Sequence, residues 1–132
     1  MSILVGYVPT PVGEAAMAAA IQEATLRDVE LLIVNSQREG VLADPSVASD
    51  ADIERVADAA QDAGVNATVL RPTHRDDLTD AILDLAQEHD VDLIVIGLRR
   101  RTQVGKFIMG SHAQRILLQA DRPVLAVKED SA

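Results

Sequence analysis

"DLIVIGLRRRTQVGKFIMGSHAQRILLQADRPVLAV", residues 92–127, holds a strand, a loop, a helix and a second strand in one stretch. Residues 92–97 form an apolar run of strand length, continuous rather than alternating, as in a strand covered on both faces. Ser111 and Gln114 have the spacing of a helix-capping pair. The stripe Ala113, Ile116, Leu117 and Ala120 follows them at helical intervals. Residues 123–127 are again apolar and short. Strand, crossover helix and strand make the unit from which parallel sheets are built.

The same rhythm runs back to the start of the chain. Residues 2–8 and 30–36 are apolar runs rich in β-branched residues, and 66–72 is a third, stopped by Pro72. Between the first two, Thr10 is placed to cap a helix beginning at Pro11, where a missing N–H costs nothing. The Ala-rich segment to about Leu26 favours that helix. Ser49 with Asp52 marks a second helix start, followed by Ile53, Val56, Ala57 and Ala60 at helical spacing and ended by Gly64. Leu78, Ala81, Ile82, Leu85 and Ala86 form the stripe of a third helix. Residues 37–48, polar with Gly40 and Pro45, read as a loop.

Four strand–helix pairs and a fifth strand predict an open, doubly wound α/β fold. It is a five-stranded parallel sheet with helices on both faces, in a single domain over 1–132 and with right-handed crossovers. Ligands of such sheets bind beyond the carboxyl ends of the strands, where the strand order reverses. The segment 97–112 leaves the carboxyl end of the fourth strand and so lies at a site.

Charge singles out the same segment. The chain carries a net −9, yet residues 97–112 hold Arg99, Arg100, Arg101 and Lys106 without one acidic residue, which leaves the remainder at −13. The overall balance argues against nucleic acid and acidic membranes as partners. The local one points to a small anionic ligand. Gly97 is expected to turn the chain sharply off the strand, Gly110 to let backbone approach a ligand, and Ser111 to open a helix. The first N–H groups of that helix lack internal partners and attract phosphate. His112 lies in the first turn, where it can donate to a phosphate or face solvent.

With these residues in view, the chain resembles the universal stress protein family over nearly its whole length. That family's hallmark is Gly, two residues, Gly, nine residues and Gly-Ser or Gly-Thr, which binds the phosphates of ATP. Here it reads Gly97, two residues, Arg100, residues 101–109 and Gly110-Ser111. The segments AILDLAQEHDVDLIVIGLR and RILLQADRPVLAVK are also similar to the family. The resemblance implies ATP or another adenine nucleotide, with Mg²⁺ as its companion, held by Val8, Pro9, Thr10, Gly97, Arg99, Arg100, Gly110, Ser111 and His112. Two positions depart from the pattern. Arg100 stands where the second glycine belongs, and Val8, Pro9 and Thr10 stand where ATP-binding members carry Asp-Gly-Ser. Val8 has no side-chain acceptor for ribose or adenine, and Arg100 can either clamp a phosphate through its forked donors or fill the place of one. An interaction module that binds no nucleotide and uses the basic loop for a partner is therefore the alternative. The family also implies a homodimer through the last strand, 123–127. An apolar edge left unpaired there risks aggregation.

Other classes find less support. There are no cysteines, which excludes disulfides and thiolate metal sites. His74, His89 and His112 lack metal-ligand spacing. Ser36, Ser46 and Ser49 lack the Gly-x-Ser-x-Gly context of a nucleophile. Asp76 and Asp77 suit the first turn of a helix, and Asp90 and Asp92 precede the fourth strand, on the wrong side for a phosphoacceptor. Arg115, disfavoured by the helix field in an early turn, needs an anion or a carboxylate beside it. No catalytic set emerges, and at most a slow hydrolysis of bound ATP is expected. No apolar run nears the ~18 residues of a membrane span, and the start of the chain lacks a basic leader. A cytoplasmic protein is expected.

Overall fold

The computed structural model describes residues 1–35, 37–38, 49–74, 78–98 and 111–128. Five strands, β1 (Ser2–Gly6), β2 (Glu30–Val34), β4 (Ala67–Leu70), β6 (Leu93–Leu98) and β7 (Val124–Lys128), form one sheet in the order β4-β2-β1-β6-β7. All its pairings are parallel. The chain moves outward from β1 through β2 to β4, then returns to the other side of β1. The reversal therefore lies between β1 and β6.

Alternation along the strands decides which helix covers which face. Ile3, Val5, Leu31, Ile33, Leu93 and Val95 pack with Ala16, Met17, Ala20 and Ala24 of α1 (Pro11–Arg27) and with Val56 and Ala60 of α2 (Asp50–Asp62). Leu4, Leu32, Val34, Ile94 and Ile96 point the other way, against Ile82 and Ala86 of α3 (Leu78–Glu88) and Ile116 of α4 (Ser111–Gln119). Both faces of the central strands are thus buried, which is why their sequences show no polar alternation. The doubly wound α/β architecture expected from the sequence is the one observed.

The signals at the starts of α1 and α2 hold in detail. Thr10 is extended (φ −132°) and its Oγ1 accepts from the Gly13 amide at 3.1 Å, with Pro11 as the first helical residue. Ser49 and Asp52 form a reciprocal capping box. Gly64 follows α2 at φ +80°, a conformation costly for other residues. Several ends differ from the sequence reading by a few residues: β1 stops at Gly6, β2 at Val34 and β4 spans only 67–70. Two residues of the expected 37–48 loop are strand instead. β3 (Gln37–Arg38) pairs in parallel with β5 (Thr73–His74). Residues 39–48 lie outside the described residues. Two-residue strands leave no periodicity to detect, so pattern alone could not reveal them.

A larger correction concerns Gly97. It does not turn the chain off the strand: it lies inside β6, paired with Val127, and β6 runs on to Leu98. Its missing side chain serves packing. A Cβ there would sit 2.9 Å from Val12 Cγ2 and 3.0 Å from the Val12 carbonyl oxygen. Gly13 makes a similar approach, since a Cβ on it would overlap the Val8 carbonyl oxygen.

These contacts give a test in which two effects oppose. Helix propensity alone favours Gly13→Ala by about 1 kcal/mol. The clash with Val8 main chain dominates, and the substitution is expected to cost about 1–3 kcal/mol in urea unfolding. A net gain in stability would contradict the packing.

Candidate functional site

Three pieces of chain reach the carboxyl end of the sheet near the reversal: the turn after β1, the end of β6 and, by the direction of the crossover, the start of α4. The turn is tightly determined. The Tyr7 amide donates to Val34 O at 2.8 Å, and Asn35, itself buried, donates from Nδ2 to Tyr7 O at 2.9 Å. The Thr10 amide then donates to Val8 O at 2.8 Å, closing a three-residue turn around Pro9. The proline ring holds φ near the value such a turn requires. Val8, Pro9 and Thr10 are each half-buried at this rim. Because Val12 lies on Gly97, the start of α1 stands directly over the end of β6.

The opposite side is the N-terminus of α4. Ser111 and His112 are its first two helical residues, and its first turn contains no acidic side chain. Ser111 is thus inside the helix rather than one position ahead of it, within the residue or so by which helix ends shift. Its amide is among those with no partner inside the helix. Of the remaining candidates, Arg99, Arg100 and Gly110 lie outside the described residues, as do Arg101, Lys106, Asp76 and Asp77. Arg115 gains the carboxylate it needs, donating from Nη2 to Asp80 Oδ1 of α3 at 2.7 Å. Asp92 donates its amide to Ser2 O at 2.8 Å, which fixes it at the amino end of the sheet, far from any phosphoacceptor position.

One cluster at this end escaped the sequence reading. Tyr7, 1% exposed, donates its hydroxyl to Glu14 Oε1 at 2.9 Å. Arg55 of α2 donates from Nη2 to the same carboxylate oxygen and, at 3.1 Å, to the Tyr7 hydroxyl, while Nη1 lies 3.4 Å from Glu14 Oε2. The three residues are separated by up to 48 positions and join α1, α2 and the end of β1. Burial, and next the bond to Glu14, push the Tyr7 hydroxyl up to about 12, with Arg55 opposing in part. Glu14 in turn holds the Arg55 proton more firmly than usual. Sequence offers a single hint, an acidic residue in the first turn of α1 where one is favoured anyway.

The universal stress protein family model matches residues 1–128. The chain belongs to the universal stress protein family. A universal stress protein of Mycolicibacterium smegmatis (strain ATCC 700084 / mc(2)155) is 40% identical over 126 residues, 96% of each chain. Among solved structures, the universal stress protein from Archaeoglobus fulgidus matches with a TM-score of 0.81 at 29% identity, covering 97% of this chain and 98% of that one. A second structure, of the universal stress protein from Archaeoglobus fulgidus in complex with dAMP, matches with a TM-score of 0.68 at 25% identity and the same coverage. Some universal stress proteins thus carry an adenine nucleotide on this fold.

Tyr7 is the only tyrosine and tryptophan is absent, so absorbance reads this cluster directly. A spectroscopic titration should give a midpoint near 12, and Glu14→Gln should move it down toward the ordinary 10. Because the folded value lies above the unfolded one, this group's contribution to stability is whole below pH ~10 and is lost as pH rises through 12. A midpoint near 10 in the intact protein would show that the cluster is not formed.

Proposed function

We propose that this chain is a small cytoplasmic stress-response regulator of a single domain. It binds an adenine nucleotide or another phosphate anion where the sheet order reverses. The phosphates sit at the N-terminus of α4 and within the Arg99–Arg100 segment, and the rest of the ligand lies against Val8, Pro9 and Thr10. The supporting observations are the close approach of the α1 start to the end of β6 at Gly97 and the acid-free first turn of α4, which begins at the same end of the sheet. A helix start of this kind offers unpaired N–H groups and a favourable field to a phosphate. The dAMP complex of a relative supports an adenine nucleotide as one such ligand. Mg²⁺ would arrive on the phosphates: among the described residues no group of three or more His or acidic side chains is placed to hold a metal. No residue is assigned to catalysis.

Calorimetric titration with ATP tests this reading. Binding is expected, and Gly110→Arg should abolish it. Absence of binding at millimolar ATP favours the second reading, a dimeric interaction module, to which the apolar side chain of Val8 lends support. The direction of Arg100→Gly is informative as well. A loss of affinity marks Arg100 as a ligand, and a gain marks it as an obstruction.

We also propose a homodimer through β7. It is an edge strand whose Val124, Leu125, Ala126 and Val127 remain half-buried, and such an edge invites pairing. Light scattering is expected to give the mass of two chains, and the mass of one chain would overturn the dimer.

A further inference from the structure

α2 carries a row of like charges. Asp50, Glu54, Asp58 and Asp62 follow one another at four-residue intervals along it, and all are exposed. Residues so spaced are neighbours on one helix face, and like charges there destabilise the helix. Asp58 and Asp62 also lie toward the C-terminal end, where the helix field disfavours an anion and no basic residue of the last turn offsets them. Arg55 is the one cation of the helix. Apolar anchoring is modest: Val56 and Ala60 are its buried residues, with Ile53 partly buried in the same cluster. α1, by contrast, buries Val12, Met17 and a ladder of small residues. Among the described residues, the side chains of α2 reach other elements at two places: Asp50 meets Arg71, and Arg55 meets Glu14 and Tyr7. Asp50 is fully exposed, and such a pair holds little. Arg55 holds more. Both of its terminal nitrogens face the Glu14 carboxylate, and Nη2 also reaches the buried Tyr7 hydroxyl at 3.1 Å. A two-point guanidinium–carboxylate pair is stronger and more directional than a single contact.

We infer that α2 is a detachable element: it undocks and unfolds as a unit while the rest of the sheet stays folded, and Arg55 on Glu14 and Tyr7 is the latch that keeps it closed. Away from the sheet, a helix of 13 residues with this row of charges does not persist in water, so undocking and unfolding coincide. The open form uncovers Tyr7, Leu31, Ile33 and Val69, which pack in the cluster that Val56 and Ala60 close. Tyr7 directly precedes the turn of Val8, Pro9 and Thr10, so the state of α2 reaches the rim at the carboxyl end of the sheet. Segments that move in switching are drawn from the least stable parts of a fold. The inference does not depend on the phosphate reading above.

Native-state amide hydrogen exchange of the full chain tests it. The amides from Glu54 to Asp62 are expected to share one protection factor, lower than that of β1 and β6 by about a hundredfold. Equal protection in α2, β1 and β6 overturns the inference. Ile94→Val alters the opposite face of the sheet, in the cluster that does not include α2. Its packing persists when α2 opens, so it should lower the protection of β1 and β6 severalfold and leave α2 unchanged. A parallel fall in α2 means that α2 exchanges only when the whole chain unfolds, which also overturns the inference. Arg55→Met and, from α1, Glu14→Gln are each expected to lower the protection of α2 by about fivefold or more. No change in either variant, or a change with Arg55→Met alone, overturns the latch. Asp58→Lys turns two repulsive pairs of the row into attractive ones and is expected to raise the protection of α2 by about fivefold. An unchanged or lower value contradicts the role of the charged row.

Discussion

The start of α1 rests on the backbone of β6 at Gly97, and this close approach sets the geometry of the carboxyl end. β1 and β6 belong to opposite halves of the sheet, one wound outward and the other wound back. Val12 bridges them by packing where Gly97 carries no side chain. On the same turn of α1, Gly13 presses against the Val8 carbonyl. The two glycines therefore fix the distance between the helix and both strand ends. Around this contact the turn at Pro9 closes, the cap at Thr10 forms, and the cluster of Tyr7, Glu14 and Arg55 joins α2 to the same point.

Ion pairs tie elements together at both ends of the sheet. Among the described residues, Asp28, Glu30, Asp90, Asp92 and Asp121 flank the starts of the strands together with Arg27 and Arg122, and Arg55, Arg71, Arg115 and Lys128 stand toward the carboxyl ends together with Glu14, Asp50 and Asp80. Each of the latter arginines is matched to a carboxylate: Arg55 to Glu14, Arg71 to Asp50 and Arg115 to Asp80. Exposed pairs of this kind add little to stability. They tie α1 to α2 and α3 to α4 at the carboxyl end of the sheet.

Much of this was legible in the sequence because burial on two faces writes itself as continuous apolar runs, and helix starts as capping pairs. The apolar runs at 2–8, 30–36, 92–97 and 123–127 overlap the strands found at 2–6, 30–34, 93–98 and 124–128, and the caps at Thr10 and Ser49 follow from the capping patterns. Gly97 was located but misread, since a glycine at a strand end fits a turn and a close approach equally well, and only the position of Val12 decides. Gly13 left no signal beyond an unusual residue in an otherwise Ala-rich helix. The joining of Tyr7, Glu14 and Arg55 depends on how α2 lies against α1, a relation between distant segments that neither period nor spacing encodes. The family pattern pointed to the start of α4, where the proposed phosphate site lies. The pairing of Glu14 with Tyr7 and Arg55 emerged only from the side-chain arrangement.

The most direct test is a map of backbone amide shifts by NMR as ATP is added. Shifts are predicted at Ser111, His112 and Ala113, at Gly97 and Leu98, and along Val8 to Gly13. Shifts confined to the amino end of the sheet, around Asp28, Gly64 and Asn66, would contradict a phosphate site at the start of α4.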